Sequence, residues 1–231
     1  MSAYGKWKSV AVVSIFLLFI YGYRFYRDCL YYYPQISSDF QQSESPSRII
    51  LPDNFRIQER LFGWTTTSLN IKSTSGELIG VMKRLWTFDE NYALYDKANH
   101  IIAASRRSIF TIGLKAYIID DRSLPIGYIE EVVKLKILNF EGEYNIYDKD
   151  KHLLMAVKRT EFFKLKYEFF NGEGQLLAVL ERNPFQMNFG HLYTVSILRR
   201  DGLDDRFLLL LAAMRTGMDR NKLRKGNGKK N

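Results

Sequence analysis

The chain has 231 residues, a formal charge of +9 and a single cysteine, Cys29. That length allows one domain with an appendage. One cysteine excludes an internal disulfide framework and a cysteine-based zinc cluster.

The first predicted element is hydrophobic. Val10 to Tyr21 is apolar except for Ser14, and Lys8 and Arg24 bracket it. The apolar run is slightly shorter than the ~20 residues a spanning helix prefers, but both basic side chains can snorkel. Tyr21, Tyr23, Phe25, Tyr26, Tyr31, Tyr32 and Tyr33 then crowd one end, as in an interfacial aromatic belt. No small-residue cleavage site follows, so an uncleaved anchor over residues 1–33 is expected ahead of a removed signal peptide. Cys29 stands where S-acylation occurs in other chains, although an inert thiol is the plainer reading. Residues 34–54 are rich in Ser, Gln and Pro and read as a linker.

From Phe55 the chain changes to short runs of Tyr, Phe, Ile and Val punctuated by turn residues, the pattern of an all-β sandwich or barrel. SLNIK-STSG-ELIGVMKRLW, KAYII-DDRS-LPIGYIEEV and KLKYEFF-NGEG-QLLAVLER each read as strand, turn, strand. Between them stand two near-copies offset by 52 residues, YALYDKANHIIAASRR from Tyr92 and YNIYDKDKHLLMAVKR from Tyr144. Asp96 and Asp148 are placed to accept backbone N–H groups in the turns. His100 and His152 leave those turns. A metal or acid–base site would need these groups to converge within a few ångström. Repeated hairpins stand apart in a repeated architecture, so the duplication is read as structural.

Three hairpins end in paired cations, Lys83–Arg84, Arg106–Arg107 and Lys158–Arg159. Neighbouring strand ends of this kind suit an anionic headgroup, against the plainer reading of edge charges that prevent aggregation.

The last element is a helix over about 204–219. Phe207 to Met214 is apolar on all sides and far too short to cross a bilayer, so it should be buried all round. Asp204 and Asp205 favour its start, and Arg215 and Arg220 its end. A barrel of about eight strands fills itself with side chains, whereas a wider one accommodates a helix of ~10 Å. With eleven or twelve candidate strands, a closed antiparallel barrel threaded by the final helix is expected. A basic disordered tail at 221–231 would follow, with Arg220, Lys222, Arg224, Lys225, Lys229 and Lys230 as candidate contacts to anionic lipid.

The repeated Tyr-x-x-Tyr-Asp hairpins and the terminal DRFLLLLAAM segment resemble the tubby C-terminal-like superfamily, nearest its LURP-one-related and phospholipid scramblase branch. The resemblance covers about Phe55 to Arg220. It implies a mainly β, twelve-stranded barrel around a central helix, association with membranes or phosphoinositides, and, in the scramblases, calcium-linked lipid movement. Asp201, Asp204 and Asp205 fall where scramblases carry a proposed calcium segment, but three carboxylates make a poor site and helix capping explains them better.

The expected function is therefore that of a non-enzymatic, membrane-tethered barrel domain at 55–220. It would bind acidic phospholipid headgroups or a protein partner at the bilayer surface, without a cofactor. A scramblase is the alternative, and an enzyme a further one. No nucleophile–base motif stands in the sequence to support an enzyme. The anchor argues against nucleic acid. The polybasic tail favours the cytoplasmic face.

Overall fold

The computed structural model describes residues 49–60, 68–85, 91–108, 113–133, 142–161, 165–183 and 192–227. The expected anchor at 1–33 and most of the 34–54 linker lie outside the described residues. Among the described residues no helix is long and apolar enough to cross a membrane.

Twelve strands follow one another as an antiparallel meander. They are β1 (Asn54–Arg60), β2 (Ser68–Ser73), β3 (Leu78–Arg84), β4 (Tyr92–Asp96), β5 (Ile101–Arg107), β6 (Lys115–Asp120), β7 (Pro125–Glu131), β8 (Tyr144–Asp148), β9 (Leu153–Glu161), β10 (Lys166–Asn171), β11 (Leu176–Arg182) and β12 (Leu192–Ile197). The sheet closes because β1 pairs with β12, Asn54 opposite Ser196 and Gln58 opposite Leu192. Closure leaves no free edge, which removes the aggregation hazard of an open sheet. Most strands bury alternate residues, as in Phe55, Ile57 and Glu59 of β1, whereas β4 and β5 bury consecutive ones. Ile49 and Leu51 also join the core, so the expected linker ends earlier than residue 54 and its last residues pack on the barrel.

Five hairpins share one turn, although only two are alike in sequence. Ser73, Asp96, Asp120, Asp148 and Asn171 each accept, through a side-chain oxygen, the backbone N–H four residues on. In each turn the residue before that N–H has positive φ: Gly76, Asn99, Ser123, Lys151 and Gly174. The strand register shifts just before every one of these turns. A tight turn closed by a residue with positive φ and a bulge matches the right-handed twist that a barrel needs. The carboxyl of Asp148 feels slight desolvation, but the N–H groups of His152 and Asp150 and the His152 ring outweigh it and hold the pKa below the usual carboxylate range.

The final helix, α1 (Asp205–Asn227), threads the barrel. Asp204 caps it by accepting from the Arg206 N–H at 3.0 Å. Phe207 through Met214 are all at most 1% exposed, as a helix apolar on all sides requires. Where Phe207 meets β7, the strand carries Gly127. A Cβ there would collide with the Tyr147 carbonyl and stand 2.9 Å from Phe207 Cζ.

Two expectations about the helix are corrected. It runs to Asn227, beyond the expected end at 219, so much of the segment assigned to a disordered basic tail is helical. The reason is local. Arg220 to Lys225 holds no proline or glycine, and the next glycine is Gly226. Arg215, expected to serve the helix's C-terminal pole, is instead 2% exposed inside the barrel.

Candidate functional site: the basic mouth and its buried arginines

The barrel has two unlike ends. The five tight turns and the start of α1 form one. The opposite end, here the mouth, is where β1, β3, β5, β7, β9 and β11 finish and where α1 emerges.

The six odd-numbered strands each finish at the mouth with a charged residue on the inward face, in the order Glu59, Arg84, Arg107, Glu131, Arg159, Arg182. Each stands two residues beyond a buried inward residue: Ile57, Met82, Ser105, Ile129, Val157 or Leu180. Period-two alternation therefore divides the cation pairs that the sequence places together. Arg84, Arg107 and Arg159 belong to the inward face. Lys83, Arg106 and Lys158 belong to the outer wall.

The outer cations are partly engaged in the sheet itself. Lys83 Nζ donates to Asn99 Oδ1 at 2.6 Å and lies 4.3 Å from the Tyr95 ring centre. Lys158 Nζ stands 5.3 Å from the Phe170 ring centre, and Arg106 is exposed. The six residues do not meet at one point. Arg84 and Arg107 flank β4 on one arc, and Arg159 lies on another arc beside β10. They are a ring of charge rather than a single pocket.

Inside that ring lies a group that the sequence alone does not reveal. Arg215 donates from Nη1 to the Tyr144 hydroxyl at 2.9 Å and from Nη2 to Asp219 Oδ1 at 3.0 Å. Arg182 Nη1 donates to Asp219 Oδ2 at 3.1 Å. One carboxylate thus bridges two buried guanidiniums. Thr216 donates its hydroxyl to the Ala212 carbonyl at 2.9 Å and approaches the Tyr193 hydroxyl at 3.4 Å. Arg215 Cζ lies 5.9 Å from the Tyr167 ring centre.

The electrostatics follow from burial. Desolvation pushes the phenols of Tyr144, Tyr167 and Tyr193 above their ordinary range, so all three are neutral hydroxyls. Desolvation works against the charge of Arg215, but Tyr144, Tyr167 and Asp219 more than offset it and hold its pKa above the usual value. Arg215 stays a cation.

The other residues weighed as sites stay apart, each with local partners. His100 Nδ1 faces only its own Asp96 at 3.3 Å, and His152 Nδ1 faces Asp148 at 3.0 Å, with the two hairpins four strands apart. Asp204 is gripped by the Arg206 guanidinium at 2.7 Å, Asp205 faces Arg200 at 3.6 Å, and Asp201 is exposed. No group of three or more metal-ligating residues is found among the described residues, and Asp204 acts as the helix cap with Arg206 as its partner. Side chains from Arg220 onward, which include Lys222, Arg224, Lys225, Lys229 and Lys230, lie outside the described residues.

A signal for the mouth residues does stand in the sequence. IQE, MKR, SRR, IEE, VKR and LER stand in equivalent places at or near the ends of the six odd-numbered strands. Aligning all six, rather than the two near-copies, exposes the ring.

No family model and no curated protein matches this chain. A crystal structure of a protein from Arabidopsis thaliana is similar, at 13% identity and a TM-score of 0.49, covering 76% of this chain and 99% of that one. A likeness of that size carries no argument about the chemistry of the mouth.

Proposed function

We propose that the barrel is a non-enzymatic module that binds anionic phospholipid headgroups through its mouth, with the N-terminal apolar segment as its tether to the membrane. The observation that carries this reading is charge polarity along the barrel. Of the six inward mouth residues four are cations, Arg84, Arg107, Arg159 and Arg182, against Glu59 and Glu131, and the helix leaves the mouth toward Lys222, Arg224 and Lys225. The opposite end carries eight carboxylates, Asp96, Asp120, Asp121, Asp148, Asp150, Asp201, Asp204 and Asp205, against six cations, Lys97, Arg122, Lys149, Lys151, Arg200 and Arg206, in its turns and helix start. Such a dipole turns the mouth toward a negative surface and the turns away from it. Kinship with the tubby C-terminal-like superfamily, in its LURP-one-related and scramblase branch, belongs to the same proposal. The closed barrel around an apolar helix supports it. The cytoplasmic leaflet, rich in anionic lipid, is the natural surface for a polybasic helix end.

The unit Ser43–Asn231 is compact in its own right, and among the described residues its core begins at Ile49, so it serves as the test protein. It should float with vesicles of phosphatidylcholine containing phosphoinositide or phosphatidylserine and stay behind with phosphatidylcholine alone. Binding should weaken as salt rises, because exposed charges are screened. Removing Lys222, Arg224 and Lys225 together should cost about 1 kcal/mol for each cation. Equal, negligible binding to both vesicle types would overturn the proposal.

A further inference from the structure

The helix does not stop where the barrel does. Arg182, the last residue of β11, meets Asp219 at 3.1 Å, so Asp219 marks the level of the strand ends. The helix is buried up to Gly217, and Met218 and Asp219 are half-buried. α1 then runs on through residues 220–227. At 1.5 Å per residue this extension is about 12 Å long, and Lys222, Arg224 and Lys225 stand about 5, 8 and 9 Å beyond Asp219 along the axis.

The extension carries charge of one sign. Residues 220–231 hold six cations, Arg220, Lys222, Arg224, Lys225, Lys229 and Lys230, and no carboxylate. Two turns of helix would not hold alone against that repulsion. Two features offset it. The negative pole of the helix dipole falls among these cations. Below them three strands clasp the helix. Tyr144 of β8 accepts from Arg215, Arg182 of β11 donates to Asp219, and Tyr193 of β12 meets Thr216.

Helical spacing decides what such an end can recognise. Positions 220 and 224 are one turn apart on one side of the helix, and positions 222 and 225 fall on the other. Selecting one headgroup needs donors that converge on one phosphate, as a bidentate guanidinium does. Cations spread around an axis do not converge. They respond to the summed charge of the surface. The strand-end cations stand farther back. A distance of about 8 Å is one screening length at physiological salt.

We infer, building on the lipid reading above, that the protruding helix end makes the contact with the anionic bilayer, and that it selects surface charge density rather than headgroup structure. Arg84, Arg106 and Lys158 at the strand ends contribute little to that contact.

Flotation of the 43–231 unit tests this with two triple variants that remove equal charge. Lys222→Gln/Arg224→Gln/Lys225→Gln should lower affinity on the order of a hundredfold, each cation near a charged bilayer being worth about a factor of five. Arg84→Gln/Arg106→Gln/Lys158→Gln should lower it less than about threefold, because those charges are screened. Phosphatidylcholine vesicles carrying phosphatidylserine or phosphatidylinositol bisphosphate are adjusted to equal electrophoretic mobility. Wild type should bind both with affinities within about twofold of each other. A strand-end variant that loses as much as the helix variant overturns the inference. So does a preference of about tenfold for the bisphosphate at matched mobility, since that requires converging donors. Should either variant fail to fold, the matched vesicles decide with the wild type alone. Anionic binding that the helix variant retains removes this inference and leaves the lipid reading standing. Wild type that floats with neither vesicle removes both.

Discussion

Asp219→Ala should destabilise the barrel by about 3–5 kcal/mol, the usual cost of deleting one partner of a buried ion pair. Asp219 is the carboxylate between Arg182 and Arg215, whose side chains are 7% and 3% exposed. Without it, two guanidiniums face each other in a water-poor interior, and neither can shed its proton. Asp219→Asn keeps an acceptor oxygen but loses the charge, so it should fall between alanine and wild type. Urea unfolding of the 43–231 unit measures this as a lower midpoint. The exposed pair Arg200–Asp53, at 47% and 69% exposure, gives the contrast: breaking it should cost less than about 1 kcal/mol. A loss of that small size at Asp219 would mean that water reaches the cluster.

Leu209→Ala should cost about 2–5 kcal/mol, and Leu209→Asp should prevent folding. Leu209 is fully buried within the run Phe207 to Met214, in the core of the closed barrel. Alanine leaves a cavity that a closed barrel fills poorly, because its wall is held by a continuous ladder of hydrogen bonds. Aspartate adds a charge with no partner, which such an interior does not tolerate. Thermal unfolding of the alanine variant and the soluble yield of the aspartate variant measure the two effects. An aspartate variant that folds with a wild-type Tm would place Leu209 in contact with water.

The wall of the barrel was legible because its two signals are local. Alternation marked the strands, and Gly, Asp, Asn and Ser marked the turns. Barrel closure followed from the need to bury Phe207 to Met214, and the pairing of β1 with β12 agrees. The shared turn was harder to see. Ser73 and Asn171 do the work of Asp96 and Asp148 with different side chains, and Asp120 stands in a segment otherwise unlike the repeated pair.

The interior of the mouth was not legible for a different reason. Arg and Tyr are ordinary surface residues at strand ends, and only the register shows which of two adjacent cations turns inward. Arg215 follows the last residue of an apolar run, the place where a helix often ends with a cation, so it was assigned to the pole. What decides its position is the length of the barrel, which encloses the helix as far as Thr216. Asp219 gave no signal of its own, because its partners come from β11 and from one turn earlier on the helix.

Enclosure of the helix by the strands is the claim on which the architecture and the mouth both depend. Hydrogen exchange on the 43–231 unit, read by mass spectrometry over the peptide covering Leu208 to Thr216, tests it most directly. The account predicts that these amides exchange only when the whole barrel opens, with protection equal to that of the slowest strands. Exchange within seconds while β1 to β12 stay protected would put the helix outside the barrel and contradict it.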